Sequence, residues 1–327
     1  MGVPVGVPPD GPGRIVPVAR LLPALLVVAV VAALGVRHWT TVDAGSDQLS
    51  TADGEWIALA SLCAVALWGA GTVSQLGSIS VPISVRRLFA VQVAASFANH
   101  VLPAGAGGIA VNLRFLTMNG LSRASAAGAL GLNSAAGAIT HLMLLAGVLL
   151  LSPASMSGVA TPWHGWQPGL GPGSLIALLC VSALLLAGAA SLWRFRRKAL
   201  KLVVQEARIL ADVARDPARA TALWLGSFAM PLLHSLILFA VLRGLDVQIS
   251  MATAFAVYLV ASSVSALVPS PGGFGSLDVT LVAGLAAVNV PSAAALGSVL
   301  AYRLITVWAP LLPSGFVLAY LLRRRVL

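Results

Sequence analysis

Apolar residues run in long blocks from about residue 21 to the C-terminus, and the polar positions between the blocks are few and clustered. A block of about twenty such residues can cross a bilayer as a helix. Residues 56–80, 125–151, 174–193 and 221–242 meet that length, and 292–322 exceeds it while containing Pro310 and Pro313. Residues 21–36 open the series as a retained first helix, because a signal-peptide core there would follow an unusually long leader with no convincing small-x-small cleavage site after it. Residues 1–19, rich in Pro, Gly and Val and without helical periodicity, predict a disordered tail.

Two apolar stretches are interrupted in the middle. Leu88 to Asn119 is broken by Leu102-Pro103-Ala104-Gly105-Ala106-Gly107-Gly108, and the stretch from Met251 to Asn289 by Val268-Pro269-Ser270-Pro271-Gly272-Gly273-Phe274-Gly275. Proline removes a backbone donor and glycine makes helical order costly, so an uninterrupted helix is excluded at both places. The limbs on either side of the first break are each too short to cross. Two short limbs meeting at a Pro/Gly tip predict a re-entrant hairpin, since broken backbone at membrane depth is tolerated only where protein buries it or where it lines a polar cavity. Ordinary loops or kinks between helices are the competing reading.

Composition fixes the class. Of 327 residues, 58% are hydrophobic and only 9% charged, and a mean hydropathy of +0.94 is far above that of an ordinary soluble domain. The expectation is an all-α, polytopic integral membrane protein with a single transmembrane domain over residues 20–327, holding about seven full spans and two re-entrant hairpins. The net charge of +10 does not point to nucleic acid, because the basic residues sit beside apolar runs, where they report topology. Arg86-Arg87, Arg123, the cluster Arg194, Arg196, Arg197, Lys198 and Lys201, and Arg323-Arg324-Arg325 mark cytoplasmic ends; the acidic loop with Asp43, Asp47, Asp53 and Glu55, the segment 152–173 with Trp163 and Trp166, and the loop with Asp246 mark the outer side.

Both termini are then cytoplasmic, and residues 194–219 read as an amphipathic segment on the cytoplasmic leaflet. The first break is entered from the cytoplasm and the second from outside, the signature of an inverted repeat. The abundance of Arg over Lys with Ala, Gly, Val and Pro points to a bacterial source, hence a bacterial cytoplasmic membrane.

Ionisable residues inside this frame are few: Arg114, His141, His234, Asp278 and Arg303. Each needs a partner, water or a function, because a bare charge in lipid costs several kcal/mol. Asp278 and Arg303 can pair, either as a structural bridge or as a headgroup site in which Arg303 meets a lipid phosphate while Asp278 positions the arginine or receives an amine. Asn99, His100, Asn112 and Arg114 flank the first break in the same way, although Arg114 can equally snorkel to the interface. His141, His234 and Asn133 read as interhelical hydrogen-bond partners. Cys63 and Cys180 lie in apolar runs without metal-ligand spacing, and no HExxH, GxSxG, Walker or Cys/His motif is present, so neither an enzyme, a metal site nor a cofactor is expected.

Pro271-Gly272-Gly273-Phe274-Gly275-Ser276-Leu277-Asp278, followed by Tyr302-Arg303-Leu304-Ile305-Thr306-Val307-Trp308-Ala309-Pro310, closely resembles the C-terminal signature of the lysylphosphatidylglycerol synthase transmembrane family. The stretch Asn99 to Arg114 resembles that family's first motif. The resemblance implies a flippase-like domain with re-entrant elements that moves charged lipids between leaflets. Within these residues no soluble aminoacyl-transferase domain follows, so synthesis of the lysyl lipid is not expected. Asp278 stands where the family usually has glutamate, and Ala and Gly stand in the first motif where it often has a basic residue and a glutamate. Another anionic lipid or a lipid-linked saccharide fits those departures as well.

The expected function is therefore a lipid flippase or scramblase moving a charged phospholipid or lipid-linked headgroup. Its partners are membrane phospholipids, anionic or aminoacylated, and homo-oligomerisation is compatible with the sequence. Arg303, Asp278, Arg114, Tyr302, Asn112 and Asn99 are the candidate headgroup residues, and Pro103, Gly105, Gly107, Pro271, Gly272, Gly273 and Gly275 shape the two tips. The alternatives are a membrane-embedded glycosyl or headgroup transferase and a non-transporting partner of a cell-envelope complex.

Overall fold

The computed structural model describes residues 52–102, 106–151, 213, 215–266, 275–324 and 326–327, together with positions 29, 33, 36, 39, 43, 49 and 50. The expected tail 1–19, most of the first apolar run, the span 174–193 and most of the amphipathic segment lie outside the described residues. So do Pro103, Gly105, Pro271, Gly272 and Gly273.

All described elements are helical: α1 (Gly54–Ser78), α2 (Val85–Val101), α3 (Ala106–Met118), α4 (Arg123–Leu151), α5 (Pro217–Gly244), α6 (Met251–Ala266), α7 (Ser276–Ala287), α8 (Ser292–Arg303), a π-helical turn (Leu304–Trp308) and α9 (Ala309–Arg323). The starts follow from local chemistry. The Asp53 carboxylate caps α1 by accepting from the Glu55 N–H, Ser122 does the same for the Ser125 N–H in α4, and Asp216 receives the N–H groups of Ala218 and Arg219 ahead of α5, whose first residue is Pro217. Gly120, at φ 95°, makes the turn between α3 and α4.

Among the described residues four helices are long and apolar enough to cross a membrane: α1, α4, α5 and the run from α8 through α9, Ser292–Arg323. Their outward faces carry Leu62, Val65, Leu142, Leu225 and Phe316, all exposed, as lipid-facing positions should be. The chain is thus a multi-pass membrane protein. With lipid tails as apolar as leucine, helices associate through close packing and interhelical hydrogen bonds. The pair α1 and α5 shows this directly. A Cβ added at Gly226 would lie 2.3 Å from the Ser74 nitrogen, and one at Gly77 would lie 2.3 Å from the Leu223 nitrogen. Backbone meets backbone at both points, and only glycine permits it.

The two interrupted stretches form two helical hairpins. In the first, Gly107 of α3 sits so close to Ala98 of α2 that an added Cβ would stand 2.0 Å from the Ala98 carbonyl oxygen, and Gln92 donates to Asn112 Oδ1 at 2.9 Å. These pairings make α2 and α3 antiparallel. With 17 and 13 residues, the limbs are only about 25 and 20 Å long, short of the roughly 30 Å hydrocarbon core. In the second hairpin the Thr280 hydroxyl of α7 donates to the Ala261 carbonyl of α6 at 3.0 Å, and the hydroxyls of Ser265 and Ser276 lie 2.9 Å apart.

The hairpins open toward opposite ends of the bundle. Ile79, Leu88, Leu116, Leu121, Leu321 and Leu327 pack in one cluster, which places both outer ends of α2–α3 with the end of α1 and the C-terminus. Arg86, Arg87, Arg123, Arg323 and Arg324 adjoin these residues. At the other end the Asp53 N–H donates to the Gly244 carbonyl at 2.8 Å, Trp56 packs edge-on against Phe239, and the acidic residues Asp53, Glu55 and Asp246 gather beside one cation, Arg243, which stacks over Trp56. Val290, just past α7, packs in one core with α5 residues and with Leu245, Val247 and Ile249, so the outer ends of α6–α7 belong here.

Candidate functional site

Polar side chains that the apolar blocks scatter along the chain converge midway along the long helices. Ser74 of α1 donates to Asn133 Oδ1 of α4 and lies 2.9 Å from the Ser227 hydroxyl of α5. Pro231 lacks the N–H that would meet the Ser227 carbonyl one turn earlier. Thr140 of α4 supplies the missing donor, its hydroxyl lying 3.1 Å from that oxygen. A proline that would leave a carbonyl bare in lipid is thereby tied to a neighbouring helix.

Around this node lie two adjoining cavities. The first, of about 510 Å³, is bounded by Gln75, Gln92, Asn99, His100, Asn112, Asn133, His234 and Thr306 among others. The second, of about 600 Å³, is bounded by Ser74, Asn133, His141, Ser227, His234, Tyr258, Ser262 and Ser263. Gly71, Gln92, Asn133, Met230 and His234 belong to both walls, so the two spaces share a partition. The inner ends of both hairpins reach them: His100 ends α2 at the first, and Ala266 ends α6 at the second.

The wall residues are held in defined orientations. His100 Nδ1 donates to the Ser96 carbonyl at 2.7 Å, which leaves Nε2 for a further contact, and His141 Nε2 lies 3.0 Å from the Ser263 hydroxyl and 3.1 Å from the Leu259 carbonyl. His234 Nδ1 lies 2.8 Å from the Tyr302 hydroxyl, and its ring stacks on Tyr258 with centroids 5.5 Å apart. Asn99 Oδ1 accepts from the Gly108 N–H at 2.7 Å, while Asn112 Nδ2 donates to the Gly108 carbonyl at 2.9 Å. The two asparagines thus bracket one residue of the first hairpin, Gly108. On the far wall Pro310 has no N–H, so the turn before it has one backbone acceptor more than it has donors, and the helix widens there into the π-helical turn.

Beside this region Asp278 and Arg303 form an ion pair through Asp278 Oδ1 and the Arg303 Nε–H. Arg303 is 6% exposed and Asp278 30%. The second carboxylate oxygen of Asp278 accepts from the Gly275 N–H at 3.0 Å, closing the first turn of α7, where a negative charge also complements the helix dipole. Gly275 holds φ 88°, a conformation that suits glycine. Both carboxylate oxygens are therefore engaged within the protein.

Of the residues singled out in the sequence, Asn99 and Asn112 line the first cavity, Asp278 and Arg303 meet each other, and Tyr302 is buried at 1% exposure against His234. Arg114 stands apart. It is exposed on α3 and is not among the described residues bounding either cavity. Gly107 serves limb contact and Gly275 the entry to α7. Gln75 and Gln92 join the first cavity's wall without having been singled out in the sequence; their signal there is a carboxamide inside an apolar run. Among the described residues no group of three or more His, Cys, Asp or Glu converges as a metal site.

No curated protein sequence matches the chain at a significant level. A family model does: that of the lysylphosphatidylglycerol synthase TM region, over residues 20–314. With helices of membrane-crossing length, the signature around Asp278 and Arg303 joined in one ion pair, and nearly the whole chain matched, the protein belongs to the lysylphosphatidylglycerol synthase transmembrane-region family.

Proposed function

We propose that the chain passes lipid headgroups between the two leaflets, as a flippase or scramblase that neither hydrolyses nucleotide nor transforms its substrate. The observation that carries the reading is the polar double cavity midway along the long helices, reached from opposite ends by the limbs α2 and α6 of the two helical hairpins. A headgroup crossing the hydrocarbon needs hydrogen-bond partners along its path, and such a cavity supplies them while acyl chains stay in lipid. In this reading the hairpins are re-entrant, related as an inverted repeat, within a frame of about seven spans. The basic end faces the cytoplasm of a bacterial cell, with both termini on that side. Membrane lipids are the partners, and the substrate is a charged phospholipid or a lipid-linked saccharide.

A headgroup transferase finds less support, because it needs a carboxylate to act as base or nucleophile, and the Asp278 carboxylate is paired with Arg303 and caps α7. The test is reconstitution into proteoliposomes with fluorescent phosphatidylglycerol, lysyl-phosphatidylglycerol and a glycosyl lipid, read by a membrane-impermeant quencher. Native protein is expected to expose inner-leaflet label, and folded Asp278→Asn and Arg303→Ala variants to do so more slowly. Quenching no faster than in protein-free vesicles, for every lipid and with imposed ion gradients, would sink the proposal.

A further inference from the structure

The described cavity walls are chemically uniform in one respect. Their polar groups are carboxamides, hydroxyls and imidazoles, and no carboxylate, ammonium or guanidinium is among the described lining residues. A carboxamide and a hydroxyl each both donate and accept, which is also the character of a sugar or polyol hydroxyl. Gln92 stands on both walls. Its Nε2 is committed to Asn112 Oδ1, which leaves the Gln92 carbonyl oxygen as an acceptor. Asn133 accepts from Ser74 through Oδ1, which leaves its amide as a donor. Donor and acceptor thus stand on the same partition.

The nearby charges are matched to each other. An aminoacylated headgroup presents an ammonium that calls for a carboxylate, yet the Asp278 charge is already shared with Arg303 and its other oxygen accepts from the Gly275 N–H. An anionic headgroup calls for a cation, yet the Arg303 charge is answered by Asp278. Spaces of about 510 and 600 Å³ fall within the usual range for small-molecule sites.

We infer that the headgroup this cavity takes is an uncharged, hydroxyl-rich one, a sugar or polyol on a lipid, recognised by the Gln92 and Asn133 carboxamides. The inference rests on the translocation reading and narrows its substrate class. The experiment compares acyl-labelled glucosyl-diacylglycerol, phosphatidylglycerol and lysyl-phosphatidylglycerol in the same proteoliposomes, with radiolabelled free glucose in a parallel uptake arm. One to two neutral hydrogen bonds gained are worth roughly a tenfold preference. Glucosyl-diacylglycerol is expected to cross about tenfold faster than lysyl-phosphatidylglycerol, and Gln92→Leu to remove most of that advantage.

Faster movement of lysyl-phosphatidylglycerol or phosphatidylglycerol would overturn the headgroup class while leaving translocation standing. Uptake of free glucose without lipid movement would keep the sugar chemistry and overturn its lipid source. If nothing moves, the translocation reading falls, and lipids retained by the native chain in native mass spectrometry still decide the class: preferential retention of glucosyl-diacylglycerol supports it, and equal or preferential retention of lysyl-phosphatidylglycerol overturns it.

Discussion

Asp278 carries two contacts that ask different things of its carboxylate: the Gly275 N–H needs only an oxygen, whereas Arg303 needs a charge. Asp278→Asn therefore keeps an acceptor for α7 and leaves Arg303 unneutralised, while Arg303→Ala leaves a carboxylate that is still 30% exposed. Removing one partner of a buried pair costs about 3–5 kcal/mol, and the exposure of Asp278 moderates the second case to about 2 kcal/mol. Thermal unfolding in detergent should rank Asp278→Asn as the more damaging, with Asp278→Asn/Arg303→Leu milder than the sum. A double variant as unstable as the sum would mean that the two residues are not coupled.

The Thr140 hydroxyl offers a second cycle. Thr140→Val should cost about 1 kcal/mol, since interhelical hydrogen bonds in membranes are worth less than an orphaned group in hydrocarbon suggests. In a Pro231→Ala background the helix regains an N–H for the Ser227 carbonyl, so Thr140→Val should cost much less there. Equal costs in both backgrounds would show that Thr140 does not answer the proline.

At the scale of elements, the α1–α5 contact depends on two glycines that face backbone. Gly226→Ala would put a methyl 2.3 Å from the Ser74 nitrogen, whereas Gly69→Ala in α1 meets nothing within 4 Å. Overpacking costs typically about 1–3 kcal/mol, and the unobstructed exchange at Gly69 gains a little helix propensity. The unfolding midpoint should fall for Gly226→Ala and hold or rise for Gly69→Ala. Loss in neither would place the helices further apart than described.

Helix existence was legible in the sequence because apolar runs of membrane length leave little choice: residues 56–80 and 221–242 became α1 and α5 with ends shifted by a few residues. The limbs of both broken stretches were also legible, since prolines and glycines state where a helix cannot continue. What could not be read was which helix meets which. Gly77 and Gly226 look like any other glycines in an apolar run until the partner backbone is seen. Gln75 and Gln92 escaped notice for a related reason, because a lone Gln in a span has the same sequence signature whether it faces a cavity or a neighbouring helix.

For the whole molecule, the segregation of charge gives a direct check. The α3–α4 turn lies at the basic end, and Asp246 follows α5 at the acidic end. Single cysteines at Asn119 and Asp246, in a background without Cys63 and Cys180, should therefore label from opposite sides of the membrane, Asn119 from the cytoplasmic one. Labelling of both from one side would overturn the frame on which the opposed hairpins rest. The Asp278–Arg303 pair was foreseen at this scale because few charges were available to pair, whereas the exposed position of Arg114 on α3 depended on packing that spacing alone does not give.

The backbone contact between α1 and α5 also limits how the protein can move. Two helices locked at Gly77 and Gly226, and joined at one end by the Asp53–Gly244 bond, cannot slide or part without losing both contacts together. They act as a fixed mast. If the cavity is to face first one leaflet and then the other, the stroke falls to the short arms α2–α3 and α6–α7. The mast then serves as the fulcrum, and the route of the headgroup runs along its flank while the mast itself stays shut.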